Sequence, residues 1–292
     1  MNNRLRLALQ KKGRLAEESL TLLQQCGLKF RIKPNALITH IENFPIDLLF
    51  VRDDDIPTLV LDGLCDGGIV GQNMLYESSL AQPPLNDWEV IAPLAKCTCR
   101  LSIAVNDTFY YKDISDLSGK RIATSYPNLL QQYLQAKQIK SEILTLSGSV
   151  EVAPRMGMAD AICELVCTCQ TLEENQLKEV QTIMHSEAVL IKNKNTHSFP
   201  ELFTLLARRI KAVQQALERK YIVFHAPFVA LSAIAKQLPG AEAPTIVPLP
   251  HCTEKVAVHV VSTERIFWNT LERIQQLGAS SILVLPIEQM LE

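Results

Sequence analysis

The stretch IDLLFVRDDDIPTLVLDGLCDGGIVG, Ile46 to Gly71, holds a complete strand, helix and strand. An apolar run ends near Arg52, acidic residues with Pro57 open a helix, and GGIVG is a second apolar strand. Upstream the same order occurs: Leu5, Leu7 and Leu9 alternate with charged or small residues, and GRLAEESLTLLQQCG shifts to helical spacing before stopping at Gly27. Alternating strands and helices predict a parallel α/β lobe.

From Arg100 the pattern restarts. LSIAV reads as a strand, GKRIATSYPNLLQQYLQAK as strand, turn and helix, and SEILTL and ADAICELV as further strands, so a second α/β lobe is expected. SEAVLIKN adds a strand. The run from Phe199 to Lys220, with Phe203, Leu206, Ile210, Val213 and Leu217 on one face, reads as a connecting helix. The last segments, YIVFHA, FVALSAIAKQL, PTIVPL, KVAVHVV, ERIFWNTLERIQQLG and SSILVLP, give the order βαββαβ of a ferredoxin-like unit.

The chain has 292 residues, which favours two or three packed units. Its 29 basic and 31 acidic residues form no long run of either sign, which argues against nucleic acid or an anionic membrane as partner. MNNRLRLALQKKGRL interleaves charge with apolar residues, unlike a signal peptide, and a cytoplasmic location is expected. The eight cysteines read as free thiols. Two CxC pairs, KCTCR at 96–100 and VCTCQ at 166–170, offer four thiolates, but zinc sites favour CxxC or longer spacing, so no protein-held metal is expected.

GxxxxGK[ST], HExxH and GxSxG are absent, and no GxGxxG follows a strand. The six histidines show no metal spacing. The three carboxylates of RDDDIP suit a helix start through capping and the macrodipole. DAICELVCTCQTL, Asp160 to Leu172, is different: it takes a buried strand into a polar turn. Ligands bind at the carboxyl ends of parallel strands, where a loop entering a helix offers free N–H groups to phosphate. Thr168 and Thr171 add hydroxyls, and Glu164 can accept hydrogen bonds from sugar hydroxyls. The pattern suits a phosphorylated ribose; its alternative is a plain polar connector.

GSVEVAPRMGMADAICELVCTCQTLEENQL closely resembles the signature region of the ATP phosphoribosyltransferases, the first enzymes of histidine biosynthesis. LQKKGRL at 9–15, VRDDDIP at 51–57, GKRIATSYP at 119–127 and LGASSILVLPIEQM at 277–290 resemble further segments of the family's long form, so the resemblance spans the chain. It implies a two-lobed α/β catalytic unit like a type II periplasmic binding protein, with a ferredoxin-like regulatory domain. The expected boundaries are 1–98 with 184–219 for lobe I and its connecting helix, 99–183 for lobe II, and 220–292 for the regulatory domain.

The resemblance implies transfer of phosphoribosyl from phosphoribosyl pyrophosphate to N1 of ATP with release of pyrophosphate, Mg2+ being carried by the substrate phosphates. It also implies inhibition by histidine, competition by AMP, and a homo-oligomer that shifts between dimer and hexamer. Residue by residue, Glu164 matches the acidic position on the ribose hydroxyls, and Cys167, Thr168, Cys169, Gln170, Thr171 and Leu172 match the 5′-phosphate loop. Lys11 and Arg14 match basic residues near the polyphosphates, and Arg52 matches an arginine beside the reacting centre, with Lys11 and Arg52 as the expected catalytic pair. His225, Ala241, Thr245 and Ser281 fall in segments similar to the family's histidine site, with core packing or subunit contact as the alternative.

Glu164 replaces the family's usual aspartate and Cys169 its glycine; Gly67 and Gln72 also depart from the family pattern. A side chain forced into a left-handed conformation costs about 1–2 kcal/mol, roughly tenfold in binding. Retained catalysis with a poorer KM is therefore expected, and a non-catalytic nucleotide or histidine sensor on the same fold is the alternative.

Overall fold

The computed structural model describes residues 4–81, 87–95, 98–167, 170–195, 197–238, 244–250, 252–263 and 268–291. In chain order, the first lobe contains β1 (Leu5–Gln10), α1 (Arg14–Gln25), β2 (Ile38–His40), β3 (Ile46–Val51), α2 (Ile56–Leu61), β4 (Gly67–Gly71), α3 (Gln72–Ala81) and β5 (Trp88–Pro93). The chain then crosses to β6 (Cys99–Asn106), β7 (Arg121–Thr124), α4 (Pro127–Ala136), β8 (Glu142–Thr145), β9 (Ala161–Val166), α5 (Gln170–Glu174) and β10 (Leu177–Ser186). It returns through β11 (Ala188–Asn193) and continues into α6 (Pro200–Leu217). β12 (Arg219–Pro227), α7 (Leu231–Ala235), β13 (Thr245–Leu249), β14 (Cys252–Thr263), α8 (Trp268–Gln276) and β15 (Ser280–Pro286) follow.

The first sheet has the order β2-β3-β1-β4-β11-β5 and the second β10-β6-β9-β7-β8. Leaving β2 aside, the sheets repeat one plan: β3-β1-β4-β11-β5 corresponds to β8-β7-β9-β6-β10. In each, three parallel strands are followed by an antiparallel one, β11 or β6, and then by a strand antiparallel to it. The connections β5 to β6 and β10 to β11 carry the chain between lobes, which is the two-crossing plan of a type II periplasmic-binding-protein fold. Ligands of open α/β sheets bind outside the carboxyl ends of the parallel strands, so this topology directs attention to the ends of β1, β3, β7 and β9.

The parallel strands are covered on both faces, hence their near-continuous apolar sequence. Leu5, Leu7, Ala8 and Leu9 are buried, and Ala8 packs with Ile56, Val60, Val70 and Ile191. In the second lobe Leu101, Ile103, Ile122, Leu130, Leu134 and Cys163 form the corresponding core. The turn from β1 into α1 passes through Gly13 at φ 100°, a conformation side chains disfavour. Gly67 serves a different need: a Cβ there would lie 2.7 Å from the Ile191 carbonyl oxygen and 2.8 Å from the Phe203 ring. The Phe203 ring and the Ile191 carbonyl thus fill the space that a side chain at position 67 would need.

Hydrogen bonds join the lobes. The buried Glu77 of α3 accepts from the Asn128 and Leu129 backbone N–H groups, both at 2.9 Å, and from the Asn128 amide at 2.7 Å. The two backbone groups are orphan donors of the first turn of α4, whose own N-cap, Tyr126, makes no side-chain capping bond. Asn73 of α3 donates to the Tyr126 hydroxyl at 3.2 Å and accepts from the Ser186 hydroxyl at 2.8 Å. In the second lobe Arg100 and the Ser102 hydroxyl donate to Glu179 at 2.6 and 2.7 Å.

The chain divides into two compact units, Met1–Leu205 and Leu206–Glu292. The second has the antiparallel order β13-β14-β12-β15, the ferredoxin-like arrangement, with Ile222, Phe224, Val258, Val260 and Ile274 in its core.

Several local expectations change. Leu217 is 38% exposed, and Ala212 and Ala216 are buried instead. The FVALSAIAKQL helix shortens to a 3-10 turn and α7, leaving Val229 exposed. At the start of α2, Asp55 makes no side-chain capping bond, so capping does not explain the acidic run.

Replacing Glu77 by alanine strands the α4 donors and is expected to lower stability by about 1–3 kcal/mol, read as a reduced urea midpoint, with Glu77→Gln less affected. An unchanged midpoint would contradict the capping role. The Arg100 hydrogen bond, against the opposing effect of burial and helped by Ser102, holds the Glu179 carboxyl down to about 2 from 4.5. A depressed carboxyl stabilises the fold above its unfolded pKa and loses that contribution as pH falls through the folded one. The stability difference between the wild-type protein and Glu179→Gln, on the order of 2 kcal/mol at neutral pH, should therefore shrink as pH falls from 4.5 towards 2.

Candidate active site

Glu164 lies near the carboxyl end of β9, beside the end of β7. The Ser125 hydroxyl donates to its Oε2 at 2.5 Å and the Leu165 N–H to its Oε1 at 2.9 Å. An ionised carboxylate has about four acceptor sites, so capacity remains for further donors. Burial raises the Glu164 pKa, the Ser125 and Leu165 bonds oppose this, and the charge of Glu151 adds to the rise. Glu151 belongs to a 3-10 turn, Val150–Val152, entered through Ser149 in a left-handed conformation. The loop after β8 therefore comes close to Glu164.

The first lobe presents its cations at the ends of β1 and β3. The Lys11 N–H donates to the Val51 carbonyl at 2.8 Å, which ties the two strand ends together and sets Lys11 beside Arg52. Both side chains are on the surface, and Arg52 Nε lies 3.5 Å from Asp54. Arg14, the first residue of α1, pairs with Glu18 at 3.4 Å and reaches the Thr98 carbonyl at 3.5 Å. It therefore extends towards the strand that crosses into the second lobe.

Tyr126 marks where the lobes meet. Its hydroxyl receives the Asn73 bond, and burial first, then the charges of Glu164 and Asp53, push its pKa far up. One phenol thus lies within electrostatic reach of a carboxylate from each lobe, which places the ends of β3, β7 and β9 around one cleft.

Cys167 is exposed immediately after β9, whereas Thr168 and Cys169 lie outside the described residues. Gln170 and Thr171 are exposed in α5, where the Gln170 amide donates to Glu174 at 3.0 Å. Leu172 is buried with Ile162, Val166 and Leu177, so its side chain belongs to the core. In the C-terminal unit, His225 of β12 pairs with Ser280, next to Ser281, which occupies a bulge with φ 52°. Thr245 is on β13, with β14 between it and β12, and Ala241 lies outside the described residues. His225 and Ser281 are thus close to one another, and Thr245 is two strands away.

The sequence reading missed Ser125, Tyr126 and Asn73 as site residues, although GKRIATSYP contains two of them. Among the described residues no three His, Cys, Asp or Glu side chains group to hold a metal ion, and no helix is long and apolar enough to cross a membrane. A cavity of about 700 Å³ between α3, α4 and β10, lined by Tyr76, Leu80, Tyr133 and Met184 among others, is separate from the cleft residues.

Residues 52–215 match the family model for ATP phosphoribosyltransferase, and residues 216–289 match that for the HisG C-terminal domain. Among solved structures, the ATP phosphoribosyl transferase (HisG:HisZ) complex from Thermotoga maritima is similar at 27% identity, covering 71% of this chain and 98% of that one, with a TM-score of 0.59. An amino acid ABC transporter substrate-binding protein, AbpA, from Streptococcus pneumoniae Canada MDR_19A, bound to L-arginine, aligns at 12% identity over 73% of this chain and 90% of that one, with a TM-score of 0.49. The family model covers more than half of the chain, which belongs to the ATP phosphoribosyltransferases, pentosyltransferases of histidine biosynthesis, and carries their catalytic unit and C-terminal regulatory domain.

Proposed function

We propose that Glu164 receives the ribose hydroxyls of phosphoribosyl pyrophosphate, that the chain from Cys167 to Leu172 receives its 5′-phosphate, and that Lys11, Arg14 and Arg52 face the polyphosphates of both substrates. The observation that carries this reading is the position of Glu164: a part-buried carboxylate at a parallel-strand end, with unused acceptor sites, sharing Tyr126 as neighbour with Asp53, the residue after Arg52.

Breaking the bond between the anomeric carbon and pyrophosphate builds positive charge on the ribose and negative charge on the leaving group. Preorganised charges aimed at both ends stabilise that separation more than they stabilise the ground state. Lys11 and Arg52 draw off the pyrophosphate, and the lobes hold adenine N1 in line with the anomeric carbon. The attacking ring nitrogen is neutral, so no general base is invoked. Mg2+ would be held by oxygens of the substrate phosphates rather than by side chains, and there it would supply charge neutralisation.

The regulatory domain is proposed to bind histidine near His225 and Ser281, with Ala241 and Thr245 as further candidates. AMP is proposed to compete for the ATP position, and the protein to work in the cytoplasm as a homo-oligomer, dimer or hexamer.

With ATP, phosphoribosyl pyrophosphate and magnesium, the protein is expected to form phosphoribosyl-ATP, seen as new ultraviolet absorbance that histidine suppresses. Glu164→Gln should raise the KM for phosphoribosyl pyrophosphate about 10- to 100-fold, the value of one or two charge-assisted hydrogen bonds, with a smaller effect on the KM for ATP. Only ionised Glu164 accepts from both hydroxyls without competing donors, and its pKa is raised. Wild-type affinity for phosphoribosyl pyrophosphate should therefore fall as pH drops through that raised value, and the glutamine variant should lack this dependence. Equal KM values and equal pH profiles would contradict the assignment.

A further inference from the structure

We propose that Cys99 and Cys167 are a site of reversible thiol–disulfide exchange, and that closing their disulfide restrains the phosphoribosyl loop. β6 and β9 pair antiparallel with Arg100 opposite Val166 and Leu101 opposite Leu165, so the next pair outward is Cys99 opposite Cys167. Directly opposed residues of an antiparallel pair have Cα atoms about 4.5 or 5.5 Å apart, and disulfides accept about 4.4–6.8 Å. Both registers of the ladder therefore permit the bond without moving the strands. The two thiols lie close enough that Cys167 helps to raise the Cys99 pKa.

The surroundings assign an order of events. Cys167 is exposed and meets an external disulfide first; Cys99 is half-buried, and burial, then the neighbouring Cys167, push its pKa up while Ser186 and Arg14 oppose the rise. With oxidised glutathione as oxidant, the Cys167 thiolate attacks one glutathione sulfur and releases one glutathione thiolate. Cys99 loses its proton to solvent and attacks the Cys167 sulfur, releasing the second. Two protein thiols are oxidised and one glutathione disulfide is reduced to two thiols. Because Cys99 must ionise, ring closure should accelerate with rising pH.

The consequence for the site rests on the proposed role of Cys167 to Leu172. Bonding ties the first residue of that loop to β6 and removes its freedom to adjust to the phosphate, and misplacement by about 1 Å at a reacting centre can cost on the order of 10²-fold. Cys99 also pairs with Ser186 across β6 and β10, and Ser186 bonds Asn73 of the first lobe, so the cross-link lies one residue from the interlobe hydrogen bonds.

The test treats the full-length protein with oxidised glutathione, maps linkages by mass spectrometry after alkylation, and measures both KM values before and after adding a thiol reductant. The expected result is a peptide joining Cys99 to Cys167, with a KM for phosphoribosyl pyrophosphate raised at least tenfold and restored on reduction. Cys99→Ser should keep its basal activity within about twofold and lose the response, since serine is close to cysteine in size and leaves the β6–β10 pairing with Ser186 in place. No linkage, a persistent glutathione adduct on Cys167, or linkage through other cysteines would overturn the exchange site. A Cys99–Cys167 bond that leaves this KM unchanged would overturn its control of the loop, whatever the outcome of the Glu164 test.

Discussion

A carboxylate from one lobe ends a helix of the other, and the geometry of the cleft depends on it. Glu77 occupies the first turn of α4, and that turn directly follows Ser125 and Tyr126. Fixing α4 therefore fixes the Ser125 hydroxyl against Glu164 and the Tyr126 hydroxyl against Asn73. The hydrogen bonds run from α3 through α4 to the strand end where the sugar is proposed to bind. A buried carboxylate without these donors would be costly, so the fold constrains Glu77 as strongly as Glu77 constrains the fold.

The same arrangement separates charge across the cleft. Glu164 is held in a poorly solvated place at the end of β9, whereas Lys11 and Arg52 follow strand ends of the other lobe and Arg14 opens its first helix. Electrostatic interactions strengthen when water is excluded. Two lobes bearing opposite charges suit the proposed reaction, in which the ribose becomes cationic while pyrophosphate departs.

The strands and helices with regular apolar spacing were legible in the sequence: β1 with α1, β3 with α2 and β4, and the βαββαβ order at the C-terminus. The omissions have physical causes. β10 carries register shifts at Glu179/Gln181 and Thr182/Met184 that break its alternation. α3 turns Asn73 and Glu77 inward, so the residues that hold the lobes together are those that spoil its apolar stripe. Glu164 was legible because a carboxylate ending a buried strand is unusual, and the family resemblance gave it a role. Tyr126 and the pairing of Cys99 with Cys167 depend on strand register and lobe contact over long sequence separations, which local spacing does not encode.

The central claim, that the sugar donor binds at the end of β9 with its hydroxyls on Glu164, is most directly tested by a co-crystal structure with phosphoribosyl pyrophosphate and magnesium. The account predicts the ribose hydroxyls within hydrogen-bond distance of the Glu164 carboxylate, the 5′-phosphate along Cys167 to Leu172, and the pyrophosphate towards Lys11 and Arg52. A ribose bound elsewhere, or a Glu164 carboxylate turned away from it, would contradict the account.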